Sequence, residues 1–262
     1  LSARWEVGSQ RAEVLGARKR LVERGQAALD YLIPAKLDPE NTFYMRTLQT
    51  VCGGLKEPAA RTLLPHLASR DTKVKRAAAE LLGGLGAREA VPGLLALLDD
   101  PDESVRVKGV EILGRLKDPS AAPAVARLLL ASTDETVKII AAASLGGMKA
   151  PEGAEALAAC LEDQPATVRY AAARSLSGLG EAGIAKALAL LESPSHPLRL
   201  HGIEILGWAK AERARGELLS LLGDPDWTVR LYAVRALSAM KDDAVKARFE
   251  EMGKGEANPY VR

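Results

Sequence analysis

Asp102-Glu103-Ser104-Val105-Arg106-Val107-Lys108-Gly109-Val110-Glu111-Ile112-Leu113-Gly114 reads as the first three turns of an amphipathic helix. An Asp stands where a cap belongs, Val, Gly and Leu share one face, and a basic residue lies four after the cap. The phrase returns over 134–146 with Lys138 for Arg, and in looser form along the chain. Its basic residue falls at 46, 75, 106, 138, 169, 199, 230 and 262, at intervals of 29, 31, 32, 31, 30, 31 and 32. A period near 31 over a chain of 262 residues predicts a stacked repeat array, each unit burying its apolar face against its neighbours.

Each unit divides into two helices, A then B. The A helices are predicted over 26–37, 57–69, 88–99, 119–132, 152–163, 181–193, 211–223 and 242–254, and the B helices over 43–55, 72–85, 103–117, 135–149, 166–179, 196–210 and 227–241. Apolar residues recur at helical spacing and no alternating strand pattern occurs, so the class is all-α. An earlier helix near 9–24 resembles a degenerate B helix. The expected organisation is one domain over 1–262: a partial unit over 1–25, repeats at 26–56, 57–87, 88–118, 119–150, 151–180, 181–210 and 211–241, and the start of a further repeat at 242–262. Leu1 in place of Met, and the cap-like Asn258-Pro259-Tyr260-Val261-Arg262 at the end, predict an excerpt of a longer array.

The B helix can be read position by position. N-cap residue types fall at Thr42, Asp71, Asp102, Asp134, Ser195, Asp226 and Asn258, with Pro165 the exception. Three after the basic residue comes a small one (Ala78, Gly109, Ala141, Ala172, Gly202, Ala233), and seven after comes Leu82, Leu113, Leu145, Leu176, Leu206 or Leu237. Eight after comes Gly83, Gly114, Gly146, Ser177, Gly207 or Ser238. Gly inside a helix costs about 1 kcal/mol against Ala, so its return at one phase predicts close approach of a neighbouring backbone. The recurrent charges read as structure: Asp71, Asp102, Asp134 and Asp226 as caps, and Arg106, Lys138, Arg169, Arg199 and Arg230 as partners of the caps four residues before them.

These Asp-x-x-Val-Arg-x-x-Ala-Ala-x-x-Leu-Gly strings resemble the HEAT-repeat family, and more narrowly its bacterial phycobilisome-lyase-like subclass. The resemblance covers about 26–262. It implies a right-handed α-solenoid of about seven to eight two-helix repeats, with B helices on the concave side and the recurrent Asp and Arg stacked in ladders.

Composition narrows the function. Aromatics are 4% and net charge is +2, from 36 basic and 34 acidic residues, which gives no global attraction to nucleic acid or anionic membrane. No apolar run approaches the ~18 residues of a membrane span. Cys52 and Cys160 lie more than three repeats apart, each in an apolar helical run, and read as core. His66, His196 and His201 lack zinc-ligand spacing, and the His-Glu dipeptides of the metal-dependent HEAT hydroxylases are missing. No phosphate loop, nucleophile elbow or dinucleotide fingerprint occurs, and Gly83-Gly84-Leu85-Gly86 reads as a helix end. No catalytic residue, metal or cofactor is therefore expected, and the chain reads as a non-enzyme.

If Val, the small residue and Leu face the core, positions two, five and nine after the basic residue form the opposite ridge. In the first repeat it is apolar, with Leu48, Val51 and Leu55, and suits coverage by a preceding segment. Further on it carries Lys108 and Arg115, then Arg174 with the adjacent Tyr170, then His201, Glu204 and Trp208, then Tyr232 and Arg235. Trp, Tyr and Arg are enriched at binding hot spots, so these nine residues form the candidate binding surface. Trp227, beside its cap, reads as a seal of the A–B junction. The expectation is a scaffold binding another protein's segment along the concave face, as a monomer or part of a larger chain, with a cytoplasmic setting favoured. Nucleic acid is disfavoured because Glu80, Glu111 and Glu204 offset the ridge cations. The alternatives are a bilin lyase-like role, which the resemblance implies, and DNA binding like that of HEAT-like alkylpurine glycosylases.

Overall fold

The computed structural model describes residues 8–240 and 243–262. Among the described residues every regular element is helical, and the fold is the expected all-α solenoid of repeated helix pairs. Its packing divides into two compact units, with the boundary between Ala124 and Val125. The expected beginning of the partial unit at 1–7, and of the last A helix at 242, lies outside the described residues.

The first unit holds α1 (Gly8–Glu23), α2 (Gln26–Lys36), α3 (Thr42–Leu55), α4 (Glu57–Leu63), α5 (Thr72–Leu85), α6 (Val91–Ala96) and α7 (Glu103–Leu116). Here α1, α3, α5 and α7 pack side by side in series, as B helices should. Leu48 and Val51, expected to be covered by a segment preceding the chain, are instead buried within it, where α1 packs on α3 and Arg18 donates to Thr47 at 3.2 Å.

Next come α8 (Ala122–Ala131), α9 (Glu135–Met148), α10 (Ala154–Ala159), α11 (Ala166–Ser177), α12 (Glu181–Leu191), α13 (His196–Ala209), α14 (Arg215–Ser220), α15 (Trp227–Ser238) and α16 (Asp243–Gly255). In the second unit α9, α11, α13 and α15 stack in order. The B helices match expectation to within a few residues. Several A helices, expected as continuous, are short α segments flanked by 3-10 turns such as Arg88–Ala90 and Leu97–Asp99. Two of the opening turns begin at a proline (Pro119, Pro151), whose fixed φ suits a helix start, and Pro92 stands in the first turn of α6. Three B helices end one residue early, because Lys117, Lys149 and Lys210 adopt the left-handed conformation that Gly86 takes after α5. That conformation costs a non-glycine residue about 1 kcal/mol, while the cap N–H returns to a carbonyl of the last turn.

The core follows the phrase. The small position and Leu are buried in every B helix from α5 to α15. Gly109 and Gly202 lie against the A helix of their own repeat: a Cβ on Gly202 would stand 2.8 Å from the Ala187 carbonyl oxygen. At the position eight after the basic residue, Gly83, Gly146 and Gly207 face the next B helix, while Gly54 faces Val22 of the preceding one. A Cβ on Gly83 would stand 2.8 Å from Ile112, on Gly146 2.9 Å from Ser175, and on Gly207 2.7 Å from the Ala236 Cα. Each neighbour lies 29 residues further on, directly before the core Leu of its own helix.

Asp71, Asp102, Asp134 and Asp226 cap their helices by accepting first-turn N–H groups at 2.8 Å. Two expected caps differ. Asn41, not Thr42, caps α3, and Ser195 makes no side-chain cap bond, leaving Pro197 to stiffen the first turn of α13. The basic residues also differ from expectation, since the guanidinium turns back to its own turn rather than to the cap. Arg106 donates to the carbonyls of Asp100 and Pro101, Arg169 to Asp163 and Gln164, Arg199 to Ser193 and Pro194, and Arg230 to Asp224 and Pro225, all at 2.7–3.2 Å. An acceptor fork of two carbonyls fits the planar guanidinium, whereas lysine reaches forward as a point charge. Lys75 pairs with Asp100, and Lys138 with Asp163 at 2.8 Å. Those carboxylates belong to the turn before the next B helix. Burial pushes Asp100 upward, but the Lys75 ammonium and the Asp102 N–H outweigh it and hold it below the usual carboxylate range.

Arg230 bonds both ways, its Nε and Nη2 reaching Glu256 at 2.7 and 2.8 Å. With the Asn258 N–H at 2.8 Å, this brings the Glu256 carboxyl down to about 2. At the chain end Asn258 accepts from the Tyr260 N–H at 2.9 Å, and Arg262 donates to the Glu256 carbonyl at 3.2 Å, repeating the turn geometry of the earlier units.

Two measurements test this packing. Gly207→Ala places a methyl against backbone and should lower stability by about 1–3 kcal/mol in urea unfolding, whereas Gly216→Ala in α14, with nothing within 4 Å, should raise it by about 0.5–1 kcal/mol. The lowered Glu256 value means its contribution is complete above its ordinary value near 4.5 and is lost as pH falls toward about 2. Glu256→Gln should flatten the stability-versus-pH curve in that window and leave its slope unchanged above pH 6.

Candidate functional site

Seven of the nine ridge residues lie in the second unit, on three adjacent B helices. Tyr170 and Arg174 come from α11, His201, Glu204 and Trp208 from α13, and Tyr232 and Arg235 from α15. The helical period carries them to the exposed side, opposite Val168, Ala172 and Leu176 of α11 and their equivalents, all buried. Trp208 is half-buried between two neighbours: the Tyr170 ring meets it edge-on at 5.6 Å, and the Arg174 guanidinium lies 4.8 Å over its face. Arg235 lies 5.8 Å over the Tyr232 ring of its own helix. A guanidinium over an aromatic face is attracted by the ring quadrupole.

Two depressions open on this surface and share Tyr232. One, of about 100 Å³, is lined by Glu204, Gly207, Trp208, Tyr232, Arg235, Ala236 and Ala239. Gly207 lies in its floor, so the glycine that lets α13 and α15 approach also shapes the cleft. The other, of about 460 Å³, is lined by Leu161, Glu162, Arg169, Ser195, Pro197, Leu198, Leu200, His201 and Tyr232. His201 Nδ1 stands 3.7 Å from Glu204 Oε2, so one imidazole–carboxylate pair sits between the two.

The other two ridge residues lie in the first unit and are engaged. Lys108 reaches Glu80 at 3.0 Å and Glu111 at 2.7 Å, and Arg115 reaches the same two at 2.9 and 2.7 Å. Burial pushes Lys108 down and Glu80 up, but the mutual ion pairs prevail, so Lys108 is raised and Glu80 lowered. This closed square of charge ties α5 to α7.

Position-by-position reading missed the wall of the larger depression. A signal existed one residue after the basic position, where Val107, Ile139, Tyr170, Leu200 and Leu231 are apolar yet incompletely buried. It also missed the partners of the B-helix starts. His196 Nε2 lies 3.1 Å from Thr228 Oγ1, and Trp227, expected to seal a junction, is exposed with its ring 6.1 Å from that of Tyr260.

Cys52 and Cys160 are free and buried, and burial pushes both thiols up to about 11, helped at Cys160 by Asp163. Among the described residues no three His, Cys, Asp or Glu side chains cluster to hold a metal, and no helix is long and apolar enough to cross a membrane.

A fold of stacked helix pairs with this ridge defines a class, and comparison with known proteins identifies it. The model of the HEAT repeats family matches residues 60–146, 127–193 and 184–262, so the chain belongs to the HEAT-repeat family. The phycocyanobilin lyase subunit alpha of Nostoc sp. (strain PCC 7120) is 46% identical over 56 residues, 21% of this chain and 20% of that subunit, so the match spans about a fifth of the relative's length. Among solved structures, the complex of CpcE and CpcF of phycocyanin lyase from Nostoc sp. PCC7120 aligns over 86% of this chain and 94% of that chain, with 23% identity and a TM-score of 0.48. An engineered protein aligns over 72% of this chain and 97% of that one, with 20% identity and a TM-score of 0.43.

The resemblance to the phycobilisome-lyase-like subclass holds. The reading of the chain as a non-enzyme is overturned by the similarity to a lyase subunit. The physical reason is that groups meeting a ligand on a repeat array come from units some 31 residues apart, so a site need leave no contiguous catalytic motif.

Proposed function

We propose that the chain handles a bilin, an open-chain tetrapyrrole, as one component of a lyase-type system, with the α11–α13–α15 ridge receiving the chromophore. The observation that carries this reading is the 46% identity to a phycocyanobilin lyase subunit. The chemistry of the ridge supports it. A bilin presents flat conjugated rings, N–H donors and carboxylate arms. Trp208 and Tyr232 offer aromatic surface, each contact contributing about 0.5–1.5 kcal/mol beyond area burial. Glu204, beside them, offers an acceptor for pyrrole N–H groups. The 460 Å³ depression, with Leu198 and Leu200 in its wall, continues this surface past Tyr232 and gives an extended ligand room beyond the small cleft.

Attaching a bilin to a polypeptide requires a nucleophile. Cys52 and Cys160 are buried and held protonated near neutral pH, so neither serves as the acceptor in this reading, which gives that group to a protein partner. The proposed role therefore includes a protein partner that meets the same exposed face.

The test is a titration of the purified chain with phycocyanobilin, followed by visible absorbance. Binding should sharpen and red-shift the long-wavelength band. Trp208→Ala and Tyr232→Ala should each weaken binding about tenfold, matching an aromatic contact of about 1.4 kcal/mol. An unchanged spectrum at saturating bilin removes the reading.

A further inference from the structure

Most arginines of the B-helix phrase are committed to the fold. Arg106, Arg169, Arg199 and Arg230 donate to turn carbonyls, and Arg115 donates to two carboxylates. Arg174 and Arg235 differ. Both are exposed, both have the guanidinium carbon over an aromatic ring of the ridge, and among the described residues neither guanidinium donates a hydrogen bond to the protein. A long flexible side chain normally loses rotamer entropy when held in one pose. Here the indole of Trp208 and the phenol of Tyr232 attract the two cations, and among the described residues no protein acceptor takes their N–H groups. A guanidinium without a protein acceptor suits a carboxylate, to which it can donate two parallel hydrogen bonds.

We propose that Arg174 and Arg235 form a paired carboxylate grip, reading the two propionate arms of a bilin whose rings lie along Trp208 and Tyr232. This rests on the bilin reading above and deepens it by naming what recognises the ligand's charge. The assignment follows from the placement of the charges. The two cations come from α11 and α15, on either side of α13, so a ligand engaging both must span the helix that carries Trp208. The one ridge carboxylate in the cleft, Glu204, belongs to that middle helix, so it faces the N–H-bearing rings while the arms reach outward. Placing both carboxylates fixes the ligand's direction on the ridge, and with it the end that faces a partner.

The test compares phycocyanobilin with its dimethyl ester on the unaltered chain. The ester keeps the conjugated rings and removes both negative charges. The free acid should bind at least tenfold more tightly, and the ratio should shrink as ionic strength rises. The monoester should fall between them. Arg174→Gln and Arg235→Gln should each weaken the acid while sparing the ester, and the double variant should bind the two alike. Equal affinity of acid and ester for the unaltered chain overturns the grip and leaves the bilin reading standing. A preference for the acid that survives the double variant also overturns it, because other cations would then read the arms. Failure of both ligands to bind removes the grip together with the bilin reading.

Discussion

Three glycines set the close approach of three pairs of B helices. Gly83, Gly146 and Gly207 each face the following B helix at a separation that leaves no room for a methyl group. A helix interior disfavours glycine by about 1 kcal/mol, so this position is occupied at a local cost that the packing of helix on helix offsets. The neighbours they meet, Ile112, Ser175 and Ala236, all stand one residue before a buried leucine. Contact and core are therefore in register at these three places. Ser175 and Ala236 are small, while Ile112 meets a glycine with its branched end, so the close approach is kept with different side chains in the two units.

The remaining residues of the phrase are consumed in holding the turn that delivers each B helix. Asp caps the first turn, Arg closes the turn behind it through two carbonyls, and Lys or Arg230 reaches the acidic residue of the next turn. Such part-buried, multiply bonded charges specify geometry more than they add stability. Their commitment has a functional consequence, since a cation bonded to its own backbone is unavailable to a ligand. What the second unit leaves available is the opposite ridge, where Arg174 and Arg235 rest on aromatic rings.

Much of the fold was legible because it is written six times. The small position, the leucine and the glycine each reappear at fixed phase, and burial follows the first two. The direction of the guanidinium was not legible. A cap four residues away and a carbonyl pair six and five residues away are equally close along the chain, and only the fold of the turn decides between them. The A helices lack a repeated phrase, and their division into α and 3-10 segments went unread for that reason. At the candidate site, the helical period alone brought Tyr170, Trp208, Tyr232 and Arg235 to one surface. The ion-pair square that engages Lys108 and Arg115 depends on Glu80 and Glu111 lying opposite across α5 and α7, which a single-helix reading treats only as a balance of charge. The repeated strings carried the resemblance to the phycobilisome-lyase-like subclass without any catalytic motif, and the match to a lyase subunit spans 56 residues.

The central claim is that side-chain volume at the glycine position and at its neighbour on the next B helix is one shared quantity. A double-mutant cycle on Gly83→Ala and Ile112→Ala, read by urea unfolding, measures it directly. Ile112 supplies both side-chain atoms that a Cβ at position 83 would strike, each at 2.8 Å. Each single substitution should destabilise, and the double variant should be more stable than their sum by about 1 kcal/mol or more, because the new methyl occupies space the isoleucine vacates. Additive effects would contradict the account.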